Sequence, residues 1–422
     1  MKKLTALLLL LMAALAAVAQ TTTPSAEDKL SPAERGMAQA SRLIKKNPKN
    51  FEAYNALALA LSRRARETSN VIFYAEAEEA LKKSFEISPD NFDGERIHVW
   101  LLLGKHEFGA AREEALQLNK KMPDDVMVYG FLTDTNIELG NYKEAEDAAQ
   151  LMLDLRPGNL PGLTRAAYLR ELFGDLDGSV ELMNIAYQST PPSETEDRAW
   201  ILNQIGHLQL MLGKITEADN TLQQALALFP GYHYALGNLA KVRIEQKQYE
   251  DAVKLLKQRY DAAQHAENLC DLAEALELAG QREQARKTFA EFEMKSRLET
   301  VRADNSNREL IFYYADHAHL PAKALEVAQA EYARRHDVFT LDAYAWALHV
   351  NGRDSDARAQ IAAALAVGIR DAKMLRHAGE IALSTGDPAA AEKYLLDSAK
   401  MNAPGSSQAR ELLASLSAPT KN

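Results

Sequence analysis

The sequence predicts an all-α fold, a right-handed α-α superhelical solenoid of about ten helix pairs with a C-terminal capping helix. Two observations carry this. Gly140, Ala145, Ala149 and Pro157 stand at offsets 0, 5, 9 and 17, and Gly174, Ser179, Met183 and Pro191 repeat those offsets one period later. Small residues then mark the second helix of each pair at Ala145, Ser179, Ala218, Ala252, Ala285, Ala324, Ala357 and Ala391, spaced 34, 39, 34, 33, 39, 33 and 34. A stacked array grows without dividing its core, so one solenoid over residues 31–416 is expected.

Taken in order, the chain opens with Lys2 and Lys3, an apolar run from Leu4 to Val18, and small residues at Ala17-Val18-Ala19. This is the form of a secretory signal peptide over residues 1–19, and the run is shorter than the roughly 20 apolar residues a spanning helix needs. The expectation is an exported protein starting near Gln20, periplasmic or else extracellular, with no membrane insertion after cleavage. No cysteine follows the run, so no lipid anchor is expected. Residues 20–30 are polar and lack apolar periodicity, and read as a flexible linker.

A helix is predicted over Pro32–Lys46. Two amphipathic segments follow, Phe51 to Arg66 and Tyr74 to Ile87. Pro48 and Pro89 lie 41 apart, and the surplus is expected as longer helices around residues 67–72. Asp90 to Pro123 is a regular unit with Ala111 and Ala115 as its small positions. Gly140, Gly174, Gly213, Gly280, Gly352 and Gly386 each stand five residues before a small marker, where they end the first helix and let the chain turn. Two insertions, residues 189–196 and 296–307, are candidate breaks between sub-arrays. Ser406 to Leu416 reads as the capping helix, followed by a tail at 417–422 for which no structure is expected. Gly206 stands within a helix, where glycine costs about 1 kcal/mol relative to alanine, and so predicts a close helix crossing.

In a helical hairpin the axes approach closely only where side chains are small, which accounts for the markers. With that register in hand, the sequence resembles the tetratricopeptide repeat family, whose signature is W-x2-L-G-x2-Y, then A-x3-F, then P. The unit from Ala199 to Gly231 holds Leu202, Ile205, Gly206, Gln209, Ala218, Leu222 and Pro230 at those places. The unit from Val126 to Asn159 holds Tyr129, Leu132, Thr133, Asn136, Ala145, Ala149 and Pro157.

The formal net charge is -10, or -10 - 2 = -12 once Lys2 and Lys3 are removed, which argues against nucleic acid or anionic membranes as partners. The lone Cys270 makes no intramolecular disulfide and reads as a small apolar residue. No phosphate loop, G-x-S-x-G elbow, H-E-x-x-H or cysteine pair is present, so neither enzyme activity nor a metal or cofactor is expected. His317 and His319 are spaced i, i+2, off one helix face and at a turn. Glu144, Glu146 and Asp147 read as a solvated outer face.

Function is therefore expected on the inner wall. The resemblance places its exposed positions at the second, fifth, ninth, twelfth and thirteenth residues of each unit. Carried over, this gives Tyr168, Asn203, His207, Asn238, Lys241, Tyr313, Trp346, His349 and Arg376 as partner-binding candidates, with Asp134, Glu274 and Glu380 also at ninth positions. Tyr and Trp supply contact area at low entropy cost, and the same rings could instead pack between neighbouring pairs. The family's carboxylate clamp would want Lys and Arg where this chain has Glu267 and Asp271, so a two-carboxylate clamp is not expected. The resulting expectation is a scaffold that grips a protein or peptide. The competing expectations are a carbohydrate-binding solenoid, with Trp200, Tyr313 and Trp346 stacking on sugar rings, and a structural spacer.

Overall fold

The structure, a computed structural model, describes residues 30–300 and 305–417. The leader, nearly all of the linker and the end of the tail lie outside those residues. A leading helix α1 (Pro32–Lys46) is followed by ten helix pairs. They are α2 and α3 (Phe51–Thr68, Ile72–Ile87), α4 and α5 (Phe92–Gly104, Phe108–Lys121), α6 and α7 (Val126–Glu138, Tyr142–Leu155), and α8 and α9 (Leu160–Leu172, Leu176–Ser189). Next come α10 and α11 (Thr195–Met211, Ile215–Leu228), α12 and α13 (His233–Glu245, Tyr249–Ala262), and α14 and α15 (Glu267–Leu278, Arg282–Glu299). Then α16 (Asn307–Phe312), prolonged by a π turn at Tyr313–His317, pairs with α17 (Pro321–Tyr332). The pairs α18 and α19 (Val338–Val350, Asp354–Ala366) and α20 and α21 (Ala372–Ser384, Pro388–Met401) complete the array, and α22 (Ser406–Ser417) closes it. The fold is an all-α helical repeat solenoid, as the sequence predicts. The surplus residues of the first pair lengthen α2 to 18 residues, and its partner starts at Ile72 rather than Tyr74.

Each marker residue is where packing requires it. Ala145, Ser179, Ala218, Ala252, Ala285, Ala324, Ala357 and Ala391 are all buried. At Gly206 a Cβ would lie 2.6 Å from Leu222 Cγ, so α10 and α11 cross too closely for any side chain there. Gly379 repeats the arrangement against Leu395. The first helices of the first four pairs start on side-chain caps: Asn50, Asn91, Asp125 and Asn159 accept from the backbone amides of Ala53, Gly94, Val128 and Gly162 at 2.7–3.0 Å. These caps satisfy amides that have no partner inside the helix.

The position five residues before each marker is left-handed throughout. Glycine fills it six times, but His106, Lys247 and His319 fill it at φ 59°, 59° and 51°. A Cβ in that region costs roughly 1–2 kcal/mol, offset in part by the greater freedom of glycine in the unfolded chain. Lys247 is exposed. Lys247→Gly is therefore expected to raise stability by about 0.5–1 kcal/mol, read as a higher urea midpoint at unchanged m-value. A lower midpoint would show that the lysine side chain contributes more than its backbone costs.

The superhelix winds tightly enough for successive turns to touch. His336 N–H donates to the Glu138 carbonyl at 3.0 Å, and Val338 N–H donates to the Tyr142 hydroxyl at 2.9 Å. Cβ atoms on Gly140, Gly174 and Gly213 would lie 2.9, 2.5 and 2.7 Å from the carbonyls of His336, Gly368 and Met401. These glycines thus serve both a helix end and a backbone contact with the next turn. One apolar cluster joins Ile137, Leu169 and Leu172 to Val338, Leu341 and Ile381 across the seam. Another runs from Leu163 to Val242, on both sides of the 189–196 insertion. Among the described residues no helix is long and apolar enough to cross a membrane.

Candidate binding surface inside the superhelix

Residues from the first helices of several pairs line one cavity, among them Arg63, Trp100, Asp134, Arg165 and Tyr234. On α8, Tyr168 is half-buried, and burial, then Glu138 and Glu171, push its hydroxyl well above the usual range. Asn203 on α10 is only 3 % exposed, and its side-chain carbonyl accepts from Asn238 of α12 at 2.9 Å. This amide pair ties two neighbouring units together. His207 Nε2 lies 3.1 Å from Glu171 of the preceding unit. Lys241 on α12 is exposed. Against burial, which would raise it, His317, Lys373 and Lys241 hold the Glu274 carboxyl below the usual range.

Farther along, the aromatic candidates serve the packing. Tyr313 stacks on Phe289 at 5.2 Å, with its hydroxyl 3.5 Å from Glu293. Trp346 is 6 % exposed, donates from Nε1 to Asp316 at 2.7 Å, and stacks on His377 at 4.2 Å. His349 Nδ1 lies 2.6 Å from Asp354. Arg376 pairs with Glu380, and its guanidinium lies 5.3 Å from the Trp346 ring centre. The nine candidates all lie on first helices or the π turn that prolongs one of them, and Asn203 and Trp346 are buried. Lys241 presents the clearest open surface among them.

Where the turns meet, charges converge. Arg335 bridges Glu331 at 2.9 Å, Asp337 at 3.5 Å and Glu138 at 3.4 Å. Burial and the nearby Asp337 carboxylate push Glu138 up to about 7. Asp337 itself stays below the usual range, because Arg308 and Arg335 outweigh its burial. Burial, then Arg335 and Arg308, depress His106 to about 4, which leaves it neutral. The wall is thus a set of compensated charges rather than a field of one sign.

The first superhelical turn holds a half-open cavity of about 440 Å³, within the size range of small-molecule sites. Its lining includes Arg63 and Arg66 of α2, Trp100 of α4, Asp134 of α6, Arg165 of α8 and Tyr234 of α12. Sequence reasoning reached Asp134 here as a ninth position and Glu267 as a place where a carboxylate clamp fails. Trp100 lies one repeat length before Asp134, so it is the ninth position of the preceding unit. Tyr234 and Glu267 are second positions of their units, and Glu267 also lines the cavity. Carrying the register one unit further, and writing out its second positions, would have added Trp100 and Tyr234. Arg63 and Arg66 had no such signal, because α2 runs past its regular end.

Two family models described as tetratricopeptide repeat match residues 209–267 and 343–407. No curated protein matches the sequence. Human IFIT1, solved as a dimer with m7Gppp-AAAA, is 14% identical with a TM-score of 0.51, the likeness covering 90% of this chain and 85% of that one. The same human protein with PPP-AAAA gives 12% identity and 0.51, over 86% and 85% of the two chains. At these identities the likeness is one of fold. PilW, a type IV pilus biogenesis factor, gives 14% identity and a TM-score of 0.42 over 48% of this chain and 92% of its own.

Proposed function

The chain is a tetratricopeptide-repeat protein, and on that premise we propose that it is a non-catalytic scaffold, exported from the cytoplasm, that holds a protein partner on the inner wall of its superhelix. Tetratricopeptide repeats support a protein-interaction role in general. The observation that carries the finer reading is the wall from α8 to α20. It gathers amide, imidazole, guanidinium and ammonium groups with aromatic rings onto first helices, while the second helices turn charged residues such as Lys143 and Asp147 to solvent. Arg and aromatic groups on a shaped surface are what interface anchors use. The leader supports export, through its basic start, short apolar run and small residues before Gln20.

A photo-crosslinking amino acid at Lys241, on the inner wall, is expected to give a discrete protein adduct in source cells. The same group at Gln150, exposed on α7, is expected to give none. Adducts from Gln150 alone would move the interface to the outer face and sink the inner-wall reading. Mass spectrometry of the recovered protein tests export separately, through a new N-terminus near Gln20. An intact Met1 would end that part.

A further inference from the structure

We propose that the first-turn cavity is a binding site for a small uncharged sugar, of the size of a disaccharide. The inference stands on the cavity walls and does not need the scaffold reading. A volume of about 440 Å³ admits such a molecule, being well inside the range of small-ligand pockets.

The charges of the cavity are already matched. Arg63 pairs with Glu194 at 3.3 Å and Asp197 at 2.8 Å. Arg66 pairs with Glu196 and with Asp197 at 2.8 Å. Arg165 pairs with Asp134 and donates to the Gly130 and Pro161 carbonyls at 3.0 and 3.2 Å. Glu267 pairs with Arg259 at 3.3 Å. An anion on the free N–H groups of Arg63 or Arg165 would sit beside the carboxylate already paired there. A cation on Asp134 or Glu267 would sit beside Arg165 or Arg259. In either case the repulsion offsets the attraction. A neutral ligand leaves every pair in place.

The matched groups keep hydrogen-bonding capacity that sugar hydroxyls can use. A guanidinium carries five N–H donors and a carboxylate about four acceptor sites, so Arg63, Arg165 and Asp134 have positions to spare beyond their pairs. Each sugar hydroxyl is at once donor and acceptor, and can bridge the Arg165 and Asp134 groups without altering their charge. The rings supply the remaining recognition. Trp100 and Tyr234 are half-buried lining residues, each with one polar edge. Tyr74 narrows the same space, its ring so close that a Cβ on Gly104 would lie 2.7 Å from it. An aromatic face meets the C–H face of a sugar while the indole N–H or phenol O–H meets a hydroxyl.

Calorimetric titration of the purified full chain with maltose, cellobiose and N,N'-diacetylchitobiose tests the assignment, with sodium phosphate and putrescine as charged probes. One saturable site is expected for at least one disaccharide and none for phosphate or putrescine. Trp100→Phe and Tyr234→Phe keep an aromatic ring at each position, and each is expected to weaken that site about five- to tenfold, the loss of one good hydrogen bond. Circular dichroism confirms that both variants remain folded. The proposal is overturned if phosphate or putrescine binds the cavity instead. It also fails if all three sugars show no site at about 10 mM, or if sugar binding ignores both substitutions.

Discussion

Ala218→Glu is expected to cost at least about 4 kcal/mol, enough to leave much of the array unfolded at room temperature. Ala218 lies on α11 with no exposed surface, four residues before Leu222, the side chain that already fills the space beside Gly206. A glutamate there has no room for its methylenes and would carry its carboxylate into a fully buried site. The cost therefore combines overpacking with an unpaired buried charge. Ala218→Ser separates the two effects. Ser179 occupies the same place in its own unit, fully buried, and its hydroxyl makes no hydrogen bond among the described residues. The site thus accepts the volume of serine, and the cost of Ala218→Ser is expected near about 1–2 kcal/mol, the penalty of one unsatisfied hydroxyl. Urea denaturation followed by circular dichroism measures both, and an unchanged midpoint for Ala218→Glu would overturn the repeat register itself.

That register was legible because it is written in short-range physics. A small side chain at a crossing, a residue able to adopt positive φ at a helix end and an Asn or Asp cap each act within one hairpin. The first two therefore recur wherever a hairpin does, while the cap is missing from α10, α12, α14 and α16. Even where glycine is absent the rule survives in the backbone, as His106, Lys247 and His319 show by taking the left-handed conformation. The closure of the superhelix was not legible for the converse reason. His336 meets Glu138, and Gly368 meets Gly174, across nearly half of the chain, and the repeat period does not announce which loop will arrive opposite which turn. The inner-wall candidates suffered from this directly. Tyr168 would face an open groove if only its neighbours mattered, but the next turn brings Asp337 and Arg308 towards it. The cavity lies where closure assembles side chains from six units, so single-unit reasoning reached Asp134 and Glu267 without bringing them together.

Removing Arg66 is expected to open that closure. The α2 guanidinium pairs with Glu196 and Asp197 of α10, four helix pairs further along the array, and Glu196 is only 2 % exposed. The Tyr232 hydroxyl donates to the other oxygen of Glu196 at 2.8 Å, and the Arg66 carbonyl accepts from His233 Nε2 at 3.1 Å. Arg66→Ala leaves Glu196 as a buried carboxylate with one hydrogen bond, and the expected loss is about 3–5 kcal/mol, the cost of breaking a buried pair from one side. Lys143→Ala gives the contrast. Its pairing with Asp147 is exposed on both partners, and its loss is expected to leave the urea midpoint unchanged. If burial rather than attraction sets the cost, Arg66→Met combined with Glu196→Leu should recover most of the loss, because no charge is then left stranded. Arg66→Ala should also accelerate amide exchange selectively in the last turn of α2 and the first turn of α10, since the clasp is their link across the superhelix. Uniform exchange across the whole array would instead mean that Arg66 stabilises its own hairpin, and that the turns are held together by the apolar seam around Ile137 and Val338 alone.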